Sequence, residues 1–317
     1  MKKYNLFLSL VALMSLASCK GQEVSSSSNA STPTSSIESS SFNPYGDENV
    51  VDIVVLAGQS NMEGHTWVNK LLNNTPSSMH DYYLEGFPNT EIMYHCNGGT
   101  NKSEEFLPVK TGMGYDKTRF GPEVGIAEKL HEEGRVRPLY IVKYALGATS
   151  LATDWASPSM GASNSLYYKM MFYLYDQIAF FEEQDLEVRI KGLFWMQGEA
   201  DSCVDAQTSA YYDNLSMFVE DFRAEFEEMY GDPERGIAFV DAGISNCSTW
   251  KNYQEVNAAK KAFAESDPEK NYYFDTMEEG FTYHLDNQDY FHYDALSELK
   301  LGKLFISKLL DNHWLDI

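Results

Sequence analysis

Basic residues are scarce in this chain: 24 Lys and Arg stand against 47 Asp and Glu in 317 residues, a formal charge of −23. So negative a surface repels nucleic acid and anionic lipid, and neither is an expected partner. Cysteine is scarcer still, with four residues, none of them at the Cys-x-x-Cys spacing that structural zinc sites favour. Long apolar runs are missing too: the run Leu6 to Leu16 is too short to span a bilayer comfortably. After residue 50 there is no internal repeat and no second Ser/Pro/Gly-rich linker.

What is present starts with export. Lys2 and Lys3 precede the apolar run, and Leu16-Ala17-Ser18-Cys19 follows it, the layout of a secretory signal with small residues before a cleavage point. The cysteine after Leu-Ala-Ser resembles the lipobox of bacterial lipoproteins, which implies a signal peptide over 1–18, lipidation of Cys19 and membrane contact through that anchor alone. An exported lipoprotein on the outer side of the cytoplasmic membrane or on the cell surface is therefore expected. Removing 1–18 takes away two lysines and no acid, so the mature chain is two units more negative. Residues 19–47 carry "SSSSNASTPTSSIESSS", too poor in apolar side chains to fold, and read as a flexible tether. The three remaining cysteines cannot all pair. Export leaves open a disulfide between Cys203 and Cys247, each of which follows a predicted strand.

From 48 to 317 one domain is expected. Apolar blocks at Asp52–Ala57, Glu91–Cys96, Leu139–Ala145, Ile190–Met196, Ile237–Asp241 and Tyr272–Asp275 read as strands. Segments of helical period lie at Pro122–Glu133, Leu166–Glu183, Ala206–Tyr230, Tyr253–Glu265 and Leu296–Leu310. "DIVVLA" and "LYIVKYA" are apolar on both faces, as strands covered by helices on each side must be, so the fold class is a three-layer α/β domain with a mainly parallel sheet. Val68–Tyr83 and Asn97–Arg119 are polar, weakly periodic and read as long loops.

In such sheets ligands bind beyond the carboxyl ends of the strands. Ser60 in "VVLAGQSNMEGH" stands there, either as a helix cap or as a nucleophile. Met62 occupies the place of the second glycine in Gly-x-Ser-x-Gly, so the hydrolase elbow is absent. A nucleophilic serine needs a base and a group to orient it. Asp289 and His292 in "DNQDYFHYDALS", three apart on an expected helical turn, supply both. Glu128 and His131 share that spacing, but they fall on a solvated helix face. Gly147 and Gln197 follow two further strands and offer donors for an oxyanion. Glu199 and Asp201 read as partners of Gln197 or as loop residues, and Glu63 and His65 as substrate contacts or a helix start. Trp155, Trp67 and Tyr115 read as sugar-stacking rings or as core. A set of metal ligands drawn from His284, Asp286, Asp289 and His292 lacks a clear spacing.

Taken in order, "LAGQSNMEGH", "RFGPEVGIAEKL", "KYALGATSLATDW", "FWMQGEAD" and "DYFHYDALSELKLG" resemble the blocks of the sialate O-acetylesterase and acetylxylan-esterase-like branch of the SGNH hydrolases, over nearly all of residues 50–310. The resemblance implies a flavodoxin-like α/β/α fold with about five strands. It also implies removal of O-acetyl groups from acetylated oligo- or polysaccharides, with no metal and no cofactor. Position by position it implies Ser60 as nucleophile, His292 as base, Asp289 as its partner, and Ser60, Gly147 and Gln197 as the oxyanion hole. Two other classes stay open: a non-catalytic glycan-binding lipoprotein on the same fold, and an esterase or lipase for longer acyl chains.

Overall fold

The computed structural model describes residues 49–284 and 289–317. Six strands form its parallel sheet: β1 (Val50–Gly58), β2 (Thr90–Cys96), β3 (Leu139–Ala145), β4 (Glu187–Met196), β5 (Ala238–Ala242) and β6 (Asn271–Phe274). Their order across the sheet is β6-β5-β4-β1-β3-β2, with two short antiparallel strands on β2 at Asn101–Lys102 and Leu107–Pro108. Leaving out β2, the other five in chain order run 2-1-3-4-5, the flavodoxin-like arrangement. β1 lies in the middle and is buried from Val51 to Gly58, which explains why "DIVVLA" carries no polar face.

Five long helices cover the sheet: α1 (Pro122–Glu132), α2 (Leu166–Glu182), α3 (Tyr211–Tyr230), α4 (Tyr253–Ser266) and α5 (Ala295–Asp311). In α3 the buried residues are Tyr211, Leu215, Phe218, Val219, Phe222 and Phe226, one stripe at helical spacing. α1 and α5 pack on each other through glycine: a Cβ on Gly302 would lie 1.9 Å from the Pro122 carbonyl oxygen, so only a bare backbone allows this crossing. α5 starts cleanly because the Asp294 carboxylate accepts from the Ser297 N–H at 2.9 Å, a cap of about 1 kcal/mol.

Two expectations are corrected and one question left open is answered. The helix expected over Ala206–Tyr230 breaks at Ala210 into Asp205–Ser209 and α3; around the break, Thr208 bonds back to the Asp201 carbonyl and Tyr211 reaches Gln197. Val68–Tyr83 is largely helical, at Val68–Asn74, Ser77–Met79 and His80–Glu85, in pieces too short and too sparsely buried to show a period. Cys203 and Cys247 form no disulfide, and the Cys203 thiol instead contacts the carbonyls of Glu199 and Thr249 at 3.4 Å. The signal peptide, Cys19 and the tether lie outside the described residues, as does Asp286.

The strand register sets up the site. Gly58 is level with Ala145 on one side and Met196 on the other, and β5 continues the same edge. The residues that follow these ends, Ser60, Gly147 and Gln197, therefore leave the sheet side by side.

Candidate active site

Ser60 opens a four-residue helix, Ser60–Glu63, immediately beyond β1. The turn into it is pressed against β4: Gly58 has φ +148°, a Cβ there would meet the Met196 carbonyl at 2.1 Å, and the Gln59 N–H bonds that same carbonyl at 2.9 Å. A side chain at residue 58 would push the serine off the sheet. The N–H groups of Met62 and Glu63 both return to the Gln59 carbonyl. Those of Ser60 and Asn61, in the first turn, have no intrahelical acceptor. The Ser60 hydroxyl bonds none of the described residues.

Asp289 and His292 sit on a bent hairpin arm, not on the expected helical turn: Asp289–Tyr293 pairs with Tyr283–His284. Asp289 creates the bend itself, as its Oδ1 accepts from the backbone N–H of Phe291 (3.0 Å) and His292 (3.2 Å) while its Oδ2 meets His292 Nδ1 at 2.8 Å. Burial pushes this carboxyl upward, but the bond and charge of His292, with the two N–H donors, outweigh it and hold the pKa at about 2.

Asn61, absent from the sequence-based set, clasps this hairpin to the serine turn. Its Oδ1 accepts from the Tyr293 N–H at 3.3 Å, and its Nδ2 donates to Glu199 Oε1 at 3.0 Å and to the Phe291 carbonyl at 3.4 Å. Thr66 adds a second clasp, its hydroxyl donating to the Tyr293 carbonyl at 2.9 Å. Both bonds span more than 220 residues of sequence. The one available signal for Asn61 was its place next to Ser60.

Gly147 lies beside the serine: a Cβ built on it would be 3.5 Å from Ser60 Cβ, 3.5 Å from His65 Nε2 and 3.1 Å from Glu63 Oε2. Its N–H, expected to face an oxyanion, donates to Glu63 Oε2 at 3.1 Å. Gln197 departs from expectation in the same way. It is fully buried; its Nε2 donates to the Thr149 carbonyl (2.9 Å) and Asp201 Oδ2 (2.6 Å), and its Oε1 accepts from the Tyr211 hydroxyl (3.0 Å). Asp201 also accepts from the N–H groups of Leu151 and Ala152, pinning the loop after β3 to the loop after β4. Burial raises the Asp201 carboxyl against these bonds, and burial likewise raises Glu199 despite the charge of Lys260.

Trp155 has no exposed surface and packs edge-on to Trp195 at 5.3 Å, its Nε1 donating to Thr149 Oγ1, so it supports the Gly147 loop and offers no face to a sugar. The Arg119 guanidinium lies 3.1 Å over the half-buried Trp67 ring. Tyr115 does reach solvent, against His65. His65 in turn lies face to face with His292, ring centroids 4.4 Å apart.

These features meet a consistent set of likenesses. Residues 50–311 match the family model described as carbohydrate esterase, sialic acid-specific acetylesterase. Among solved structures, the fold is similar to that of a protein from Arabidopsis thaliana (TM-score 0.59, 18% identity, 82% of this chain and 98% of that one). It is also similar to NanS (0.55, 14%, 83% and 97%). A carbohydrate acetylesterase from Xanthomonas citri matches at 0.53 and 14% identity, over 79% of this chain and 54% of that one. No curated protein sequence matches. At such identities the solved structures speak for the fold, an SGNH-like α/β architecture, while the family match spans most of the chain: the protein belongs to the carbohydrate esterase family of sialic acid-specific acetylesterases and is a hydrolytic carboxylesterase.

Proposed function

We propose that this esterase removes O-acetyl groups from acetylated glycans at the cell surface through an acetyl-enzyme on Ser60, with His292 as base and Asp289 as its orienting partner. The observation that carries the reading is the Asp289–His292 bond of 2.8 Å on a hairpin clasped to the serine turn by Asn61. Asp289 takes the Nδ1 side of the imidazole, which leaves Nε2 for the Ser60 proton.

In the first half-reaction His292 takes that proton as Ser60 Oγ attacks the acetyl carbonyl carbon. The tetrahedral intermediate then collapses as the imidazolium returns the proton to the departing sugar oxygen. Water, deprotonated by the same imidazole, releases acetate and regenerates the serine. The oxyanion falls to the N–H groups of Ser60 and Asn61 at the start of the helix. Gly147 and Gln197, whose donors serve Glu63, Thr149 and Asp201, shape the wall beside it. Lipidation at Cys19 and a tether over 19–47 would hold the domain near its polymer, a reading supported by the sequence alone.

Ser60→Ala should lower p-nitrophenyl acetate hydrolysis by at least about a thousandfold and abolish acetate release from acetylated polysaccharides. Serine-independent release would overturn the reading, and activity rising from acetate to octanoate esters would replace it with that of a longer-chain esterase. Cys19→Ala should move the protein out of the membrane fraction.

A further inference from the structure

A second carboxylate–imidazole pair stands against the first. Glu63 is 1% exposed, and its carboxylate collects three donors: the Asn97 N–H on Oε1 at 2.6 Å, and the Gly147 N–H (3.1 Å) and His65 Nε2 (2.8 Å) on Oε2. A carboxylate held by two backbone N–H groups only accepts, so His65 Nε2 carries its proton and donates. The His65 ring packs at a tilt against Tyr115 at 4.6 Å and stacks on His292 at 4.4 Å and 17°.

The geometry points to Glu63 and His65 as a positioning pair: they enter no bond-making step, but fix the plane of the His292 ring and the path of the Gly147 loop beside Ser60. This rests on the reading of Ser60 and His292 given above. The reason is mechanical and electrostatic. An imidazole held only at Nδ1 can still tip about that bond, and a flat partner on its face prevents the tipping. Glu63 joins that partner to the Gly147 N–H, so base and acyl pocket share one strut. The groups facing His65 are Glu63, His292, Tyr115, Asp116 and Arg119, whose guanidinium donates to the His65 carbonyl at 2.6 Å. Burial, with His292 and Arg119 adding to it, lowers the His65 pKa despite Glu63. The imidazolium formed on His292 during acyl transfer is therefore stacked on a neutral ring rather than on a second cation.

The test is steady-state hydrolysis of p-nitrophenyl acetate by the full-length protein and its His65→Ala, His65→Phe and Glu63→Gln variants, with thermal melts to check folding. Removing the ring should lower kcat by about 10- to 100-fold with KM nearly unchanged, since misplacing a catalytic group costs rate and not ground-state binding. Phenylalanine, which restores a flat face without a charge or a bond to Glu63, should recover a good part of that loss. Glu63→Gln should also fall in kcat, because one amide oxygen cannot serve three donors. Unchanged kcat in folded His65→Ala and Glu63→Gln, or a rise in KM alone, would overturn the assignment, as would a Phe variant no better than Ala. Ser60→Ala and His292→Ala run alongside: if these retain activity, the reading of the site itself has failed, whatever the pair does.

Discussion

Asp289 is the residue whose chemistry is most exposed to test, because its carboxylate does three jobs within four residues of chain. Asparagine in its place keeps the size but loses the charge and presents the wrong atoms to His292 Nδ1; kcat should fall by about 100- to 10,000-fold with KM little changed. The acid also affects stability. Its folded pKa of about 2 lies below the ordinary carboxylate value, so the stabilisation it brings is complete above the ordinary carboxylate range and is lost as pH falls towards about 2. The stability gap between wild type and Asp289→Asn, read from unfolding curves at a series of pH values, should thus be full at neutrality and close towards pH 2. At this scale Ser60, Asp289 and His292 stand out as candidates from residue types and positions in the chain, and the structure bonds Asp289 to His292. Asn61, Glu63 and His65 are not assigned that way, because what defines them is a partner: a hairpin 230 residues later for Asn61, the Gly147 N–H for Glu63, and the His292 ring for His65.

Between elements, the docking of the Asp289–Tyr293 arm onto the serine turn hangs on few bonds. Asn61→Ala removes those to Glu199, Phe291 and Tyr293 together. It should cost about 1–3 kcal/mol in chemical denaturation, and about 10- to 100-fold in kcat if the hairpin shifts by an ångström. The contact of α1 with α5 makes a different prediction. Glu298 of α5 is fully buried, its two carboxylate oxygens have no hydrogen-bond partner among the described residues, and it lies near Glu123 and Lys143, themselves a buried pair at 2.7 Å. Burial first, and then Glu123, push the Glu298 pKa well up, so the folded protein holds a proton that the unfolded chain releases, and stability falls as pH rises above the ordinary carboxylate range. In Glu298→Gln that dependence disappears: the melting temperature of the variant relative to wild type should rise as pH climbs above the ordinary carboxylate range. The strands and most of the helices were legible because their apolar periods are long. The break at Ala210 and the short helices of 68–85 were not, since a break is set by what Thr208 and Tyr211 bond to, and a helix of two turns has no period to read.

For the molecule as a whole, the unit Asn43–Ile317 contains every residue of the proposed chemistry and the entire family match. A chain starting at residue 43 should therefore hydrolyse p-nitrophenyl acetate with a kcat within about twofold of the full protein, because a unit with its own core folds and works without what precedes it. A large loss of kcat in the shortened chain would show that the N-terminal segment takes part in the site.

The sequence by itself determined the layer order and the chemistry on offer, since both depend on local properties: apolar blocks long enough to be strands, helical periods between them, and polar residues at the strand ends. Tertiary structure alone decided how those groups are spent. Only the register of β3, β1 and β4 brings Gly147, Ser60 and Gln197 level. Once there, Gly147 and Gln197 give their N–H groups to Glu63, Thr149 and Asp201. A donor's residue type is written in the chain, but its acceptor is whatever the fold carries within 3 Å of it.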